Sequence, residues 1–416
     1  MDFNDTPEEA AFRAEARAWL EANAAYKNPD APGQDPLGER IDDATLRAAQ
    51  AWQKKKADAG WACIRWPAEY GGRGATAIQG VIWGQEEAKF ETPPNIFSIG
   101  HGMCGPTIMA HGTPEQKQKW LPRMLSGEDI WCQLFSEPSA GSDLAGLRMT
   151  AVRDGDDWVV NGQKIWTTGA QFCDWGIIVA RHDPSAPKHA GLTFFVVDMR
   201  APGTEIRPIT QINGGQGFNE VFYTDVRIPD SYRLGEVGDG WRVAITTLMN
   251  ERASIGGMTG GGGGIGDLLR LASDLEIEGA PAIEDRAVRE KLAGFYVRSK
   301  GVELTGRRTL SALSQGKMPG PEASLMKLVA TRLIQEIAEY AVEIQGAAGA
   351  TTDAESTPQA GRWQERYLAI PGLRIAGGTD EVLRNIIAER VLRLPPEMRM
   401  DKDVAYKEVP TGPPNT

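Results

Sequence analysis

Between residues 131 and 234 the chain reads as strands, and on both sides of that stretch it reads as helices. This switch constrains the fold more than any other feature of the sequence. Trp158-Val159-Val160, residues 176–180, residues 192–197 and Val221-Phe222-Tyr223 are short runs rich in β-branched or aromatic residues. Asp154-Gly155, Asn161-Gly162, Pro202-Gly203 and Asn213-Gly214 punctuate them as turns. That pattern predicts an antiparallel barrel or sandwich.

Upstream, Thr6-Pro7-Glu8-Glu9 combines an N-cap threonine, a proline at the first helical position and a glutamate that closes a capping box. Phe12, Ala16, Trp19 and Leu20 then form one apolar stripe. Further helices are expected over 44–59, over 78–90 and from Thr113-Pro114-Glu115-Gln116 onward. Downstream, 240–394 is helical in pattern, with clear periodicity over 322–346 and 379–392, and Pro395-Pro396 stops the last helix. The expected architecture is an α+β multidomain chain. It comprises an N-terminal helical domain (1–130), a middle antiparallel β-domain (131–235) and a C-terminal four-helix bundle (236–395). Residues 396–416 are expected to be a flexible tail or a subunit-contact arm. A length of 416 residues agrees with several packed units, because one core rarely outgrows roughly 250–300 residues.

Composition narrows the function classes. Against 45 Lys+Arg stand 56 Asp+Glu, a net charge of −11, and no long basic run offers a nucleic-acid interface. An anionic ligand must therefore be held locally, by backbone N–H groups and a few placed cations. No apolar stretch reaches the roughly 18 residues of a membrane span, and the acidic start Met1-Asp2-Phe3-Asn4-Asp5 is unlike a signal peptide. Cys63, Cys104, Cys132 and Cys173 form no CxxC pair, and His101, His111, His182 and His189 show no metal-ligand spacing. The expectation is a cytoplasmic protein without a metal.

The chemistry concentrates in two motifs. Residues 132–143 read CQLFSEPSAGSD, and residues 161–170 read NGQKIWTTGA. Ser136, Ser142 and Thr168 offer hydroxyls, Gly141 and Gly169 permit close backbone approach, and Trp166 can stack on a flat ring. At this separation the pair resembles the acyl-CoA dehydrogenase family, over about residues 5–395. The resemblance implies that Gln133, Leu134, Phe135, Ser136, Gly141, Ser142, Trp166, Thr167 and Thr168 line an FAD, joined by Gly346, Gly349 and Thr379. It implies that Ser142 also meets the CoA ester. The implied reaction is α,β-desaturation of an acyl-CoA, in fatty acid or steroid side-chain catabolism. Electrons would pass to an electron-transferring flavoprotein.

Many members of that family carry the catalytic base in a Y-E-G-T motif near the C-terminus. Gly377 stands where that glutamate would be, although its N–H remains available to polarise the substrate carbonyl. A minority place the glutamate in an earlier helix before an arginine, and Glu251-Arg252 matches that pattern. The resemblance therefore implies Glu251 as base, with Arg252 and Gly377 contacting substrate. Burial beside an acyl chain would raise a carboxylate pKa toward the working range. Glu381 is the plainer acid, in a helix's first turn.

Three departures qualify the resemblance. The family's R-x-x-F-G run is missing from 271–292, and Glu343 replaces a glutamine that would approach the FAD pyrophosphate. The run Gly256-Gly257-Met258-Thr259-Gly260-Gly261-Gly262-Gly263-Gly264 is either a kinked helix end or room for a bulky acyl group. The site is completed either in a homotetramer or by a different chain in an α2β2 tetramer. The rival functions are a flavin monooxygenase of the same fold and a non-catalytic partner subunit.

Overall fold

The computed structural model describes residues 5–28, 41–257, 263–314, 323–398, 401 and 403–409. Five helices open the chain: α1 (Pro7–Glu21), α2 (Asp43–Asp58), α3 (Ala77–Glu87), α4 (Gly105–His111) and α5 (Pro114–Ser126). The capping box expected at Thr6 forms in both directions, and Thr76 and Thr113 start α3 and α5 in the same way. Phe12, Ala16 and Leu20 bury the α1 stripe against Trp61, Ile64, Ile82 and Trp83.

The middle of the chain is one sheet of seven strands. They are β1 (Trp131–Leu134), β2 (Thr150–Asp154), β3 (Asp157–Thr168), β4 (Trp175–Arg181), β5 (Leu192–Asp198), β6 (Thr204–Ile209) and β7 (Phe218–Pro229). The order is β1-β4-β2-β3-β7-β6, with β5 also on β4. Pairing is antiparallel except where β1 runs parallel to β4 and where Thr150 of β2 meets Arg181 of β4. The purely antiparallel expectation is corrected at those two places, since β1 enters the sheet from the helical domain beside a strand it does not turn into. Asn161-Gly162 is likewise no turn. It is a bulge inside β3, with Gly162 at φ 147° and the ladder to β7 shifted between Val160 and Gly162. The Asn161 amide is used there: its oxygen accepts from the Asp225 N–H at 2.8 Å, and its nitrogen donates to the Asp225 carboxylate at 3.0 Å.

The C-terminal part is helical again. It comprises α6 (Gly240–Gly257), α7 (Ile265–Asp274), α8 (Arg286–Ser314), α9 (Ala323–Ile344), α10 (Arg362–Ala369) and α11 (Asp380–Ile386). A two-residue hairpin, β8 (Glu276–Ile277) with β9 (Ala280–Pro281), occupies the region where the Arg/Phe/Gly run is missing. Leu268, Leu271, Leu292, Leu333, Ile337 and Trp363 share a core among these helices. A separate core joins the sheet to the N-terminal helices and to α6, through Trp120, Trp131, Phe135, Phe194, Val243 and Ala244. Helix α6 thus belongs to the sheet's packing as much as to the helical bundle.

Part of the segment expected to be a flexible tail or a subunit-contact arm makes contacts within the chain. Asp401 and residues 403–409 lie against the β-domain: Ala405 bridges Pro187, and the Tyr406 N–H donates to Ala186 O at 2.9 Å. Among the described residues no helix is long and apolar enough to cross a membrane, and no group of three His, Cys, Asp or Glu could hold a metal ion.

Candidate active site

The two motifs are joined by a buried charge. Lys164, fully buried on β3, donates from Nζ to Phe135 O at 3.0 Å and to Glu137 Oε1 at 2.9 Å. The Glu137 carboxylate also accepts from the N–H groups of Arg148 and Met149. The Ile165 N–H donates to Ser136 O at 2.9 Å, so the second motif is tied to the loop of the first. Burial pulls the Lys164 pKa below the ordinary lysine value, and Glu137 opposes that pull. An ion pair so placed owes its retention to geometry, because each partner would be costly alone.

That join decides where the loop residues point. Leu134 and Phe135 turn their side chains into the two cores, so they can face a ligand only through their backbone. Ser136 is half-buried, and Gly141, Ser142 and Thr168 are exposed. Trp166 sits at φ 61°, where the β3–β7 ladder slips between Lys164 and Thr167. A bulky residue with positive φ is a backbone outlier. The bulge turns the indole out of the sheet and leaves it 55% exposed, with Phe218 set edge-on beside it.

The same region holds polar atoms without partners. Gln133 Oε1 and Thr167 Oγ1 are buried and lack a hydrogen-bond partner among the described residues. Buried polar atoms are rarely left so, because each costs about 1–3 kcal/mol. With an exposed indole and open space beside Gly141, where a Cβ would meet nothing within 4 Å, the set fits a flat, polar heterocycle. FAD matches that chemistry.

Glu251 reaches this region from the far side of the sequence. Val243, Thr247 and Glu251 follow each other at four-residue spacing, so they share one face of α6. That face is seated by Val243 in the core and by Thr107, whose hydroxyl hydrogen-bonds Thr247 at 2.9 Å. His111 Nε2 and Thr246 Oγ1 add a second link of 2.8 Å. So held, half-buried Glu251 accepts at Oε2 a hydrogen bond from Gln133 Nε2 at 3.1 Å. The structure thereby brings together a residue expected to line the cofactor and the residue expected to be the base. Arg252 lies on the same helix, and its side chain is outside the described residues, as are residues 258–262 of the glycine run.

Gly377 occupies a tight turn with Gly378, at φ 66° and 100°, values that favour glycine. Four side chains brace this turn, one of them directly. Arg374 Nε donates to the buried Asp380 carboxylate at 2.7 Å, and Arg374 Nη1 donates to Gln335 Oε1 at 3.2 Å. Lys327, only 7% exposed on α9, donates from Nζ to Gly378 O at 2.7 Å. Burial lowers the Lys327 pKa, and Asp380 and Glu251 are among the charges that oppose this. Sequence reasoning missed Lys327. The signal was available, since the lysine stands one turn ahead of Ala330, Thr331, Ile337, Ala338 and Ala341, on the face that they bury.

The remaining expected contacts sit in C-terminal turns. Thr379 caps α11, its hydroxyl accepting from the Val382 N–H at 3.2 Å. Gly349 is required locally, since a Cβ there would lie 2.3 Å from Val342 O. Gly346 is exposed at φ 56°, and exposed Glu343 lies near the end of α9. Gln364 holds this turn from α10, donating to Gln345 Oε1 and to Ala348 O, both at 3.0 Å.

Comparison with known proteins decides the family. The N-terminal, middle and C-terminal domain models of acyl-CoA dehydrogenase match residues 6–128, 132–226 and 238–392. The chain belongs to the acyl-CoA dehydrogenase family. It is 37% identical over 402 residues to acyl-CoA dehydrogenase IpdE1 of Mycobacterium tuberculosis, covering 93% of this chain and 98% of that one. To acyl-CoA dehydrogenase FadE34 of the same organism it is 41% identical over 341 residues, which is 82% of this chain. The match spans 45% of FadE34's own length. Among solved structures, the Tcur3481-Tcur3483 steroid ACAD superposes with a TM-score of 0.78 at 29% identity, over 95% of this chain and 100% of that one. As a member of the acyl-CoA dehydrogenase family the chain falls among FAD-dependent oxidoreductases, and its helix–sheet–helix order is the family's.

Proposed function

We propose that the chain dehydrogenates an acyl-CoA thioester to the 2-enoyl-CoA, with Glu251 removing the α-proton. The observation that carries this reading is the hydrogen bond from Gln133 to Glu251, which sets a carboxylate beside the paired motifs. Gln133, Ser136, Gly141, Ser142 and Trp166 to Thr168 would hold the FAD ring system, with Gly346, Gly349 and Thr379 toward its other end. When bound, FAD supplies the acceptor for the hydride that leaves the β-carbon. The Gly377 N–H, set by the Arg374–Asp380 pair and by Lys327, would donate to the thioester oxygen and so acidify the α-carbon. Ser142 and Arg252 would meet the CoA ester. Glu251 takes the proton at its carboxylate, and Gln133 keeps that carboxylate aimed. Electron-transferring flavoprotein is the proposed acceptor of the electrons.

The steroid ACAD among the structural relatives supports a ring-bearing acyl group as substrate. The enzyme is accordingly expected to show a higher kcat/KM on cyclic or steroid-derived acyl-CoA esters than on butyryl-CoA. Formation of enoyl-CoA with a one-electron dye as acceptor measures this. A preference for short linear chains would remove the substrate assignment, and the absence of dehydrogenation on every ester tried would remove the function.

Exposed Glu343, in place of a pyrophosphate-facing glutamine, favours a second reading of the assembly: an α2β2 tetramer in which another chain completes the site, rather than a homotetramer. FAD per chain, measured for the protein expressed alone, separates the two. The cofactor reading carries its own test at Trp166. Trp166→Gly relieves the positive φ and deletes the ring, so the apo protein should keep its stability within about 1 kcal/mol. Its FAD affinity should fall roughly tenfold, by loss of stacking and of buried ring area. Unchanged FAD affinity would take Trp166 out of the site.

A further inference from the structure

We propose that Tyr406, on the C-terminal arm, is a positioning residue for the loop that receives the CoA ester. The inference rests on the reading that Ser142 faces that ester.

The loop continues from Gly141-Ser142-Asp143 into a single helical turn, Leu144–Gly146, before β2 begins. Arg181, at the end of β4 and 3% exposed, donates from Nη2 to Ala145 O at 2.6 Å, from Nε to Leu147 O at 3.1 Å and from Nη1 to Lys188 O at 3.2 Å. The carbonyl between the first two, Gly146 O, accepts from the Tyr406 hydroxyl at 2.9 Å. Three successive carbonyls of the loop are thus held by two side chains, one of them 260 residues away in sequence. The Tyr406 ring also covers the Arg181 guanidinium, 3.4 Å from its centroid. A cation stacked so is shielded from water, which strengthens its bonds to the loop.

The arm grips the same loop a second time. Lys188, 8% exposed, donates from Nζ to both Asp143 carboxylate oxygens, at 3.0 and 3.1 Å, and pairs with Asp401 of the arm. The Tyr406 and Lys407 N–H groups donate to Ala186 O and Pro184 O, each at 2.9 Å, so the arm lies along residues 184–187. Asp143, Gly146 and Arg181 are therefore linked to the arm through Lys188–Asp401 and through Tyr406. A loop ordered before the ligand arrives spares the ligand that ordering cost on binding. Position 142 lies next to the anchored Asp143, so the arm sets where Ser142 stands.

The test uses full-length, FAD-loaded protein with Tyr406→Ala and the milder Tyr406→Phe. Calorimetric titration with an acyl-CoA ester reads binding, and steady-state kinetics separate KM from kcat. Tyr406→Ala is expected to weaken binding and to raise KM about tenfold, with kcat within twofold and FAD per chain unchanged. Tyr406→Phe keeps the ring over Arg181 and loses one hydrogen bond, so its effect should be about threefold. A lowered melting temperature with unchanged Kd and KM in both variants would make the arm a stabilising strap only and overturn the proposal. Wild-type protein that binds no acyl-CoA ester would overturn the proposed function and this inference together. A variant that keeps wild-type affinity, in a protein that does bind the ester, would overturn this inference alone.

Discussion

Glu251→Gln is expected to lower kcat by about 10²–10⁴-fold while leaving FAD content and acyl-CoA affinity near wild type, the span that removal of a general base usually produces. Glutamine has the shape of glutamate, and Gln133 can still hydrogen-bond to its carbonyl oxygen, so α6 keeps its seat on Val243 and Thr247. What disappears is the capacity to accept the α-proton. A parallel Glu381→Gln variant guards the interpretation. Glu381 is an exposed residue in the first turn of α11, and its loss should leave kcat unchanged. Stopped-flow bleaching of the flavin by substrate measures both variants. Undiminished flavin reduction in Glu251→Gln would remove it from the catalytic role.

Lys164→Met should destabilise the folded chain by about 3–5 kcal/mol, the cost of leaving one member of a buried pair without the other. Methionine matches the lysine stem in volume, so the loss falls on charge rather than on packing. The Glu137 carboxylate would keep its two backbone N–H donors but lose its cation, and Phe135 O would lose its donor. Adding Glu137→Gln to Lys164→Met should recover about half of the loss, because no net charge is then buried. Urea unfolding of the apo protein, read across the single and double variants, gives the coupling. Additive effects would mean that the two side chains do not act as a pair. Since the pair joins the two motifs, the single variant should also release FAD at a urea concentration below the unfolding midpoint.

These two residues illustrate what was legible in the sequence. Glu251 could be singled out as the proposed base through the family resemblance, because its neighbour is Arg252 and because Gly377 stands at the usual glutamate position. Lys164 stood inside a motif, but nothing in the spacing showed that its ammonium turns inward to Glu137. Long-range pairing of this kind is decided by the sheet, which places β1 and β3 in contact across residues that are far apart in the chain. The helix starts at Thr6, Thr76 and Thr113 were open to local reading, or could have been, because a capping box is complete within four residues. Asn161-Gly162 misled for the opposite reason. The dipeptide favours a turn in isolation, and pairing with β7 converts it into a bulge. The C-terminal arm was illegible because its charge and proline content resemble a solvated tail, whereas its contacts depend on Arg181, Lys188 and the loop at 143–147.

The central claim is that Glu251 takes the proton from the substrate's α-carbon. Its most direct test is exchange at that carbon, free of the redox step. The ligand is an acyl-CoA analogue with sulfur in place of the β-carbon, incubated with FAD-loaded protein in deuterium oxide and followed by NMR. Wild-type protein should wash deuterium into the α-position, and Glu251→Gln should bind the analogue equally well yet exchange at least about a hundredfold more slowly. Equal exchange by the two proteins would contradict the assignment of Glu251 as the base.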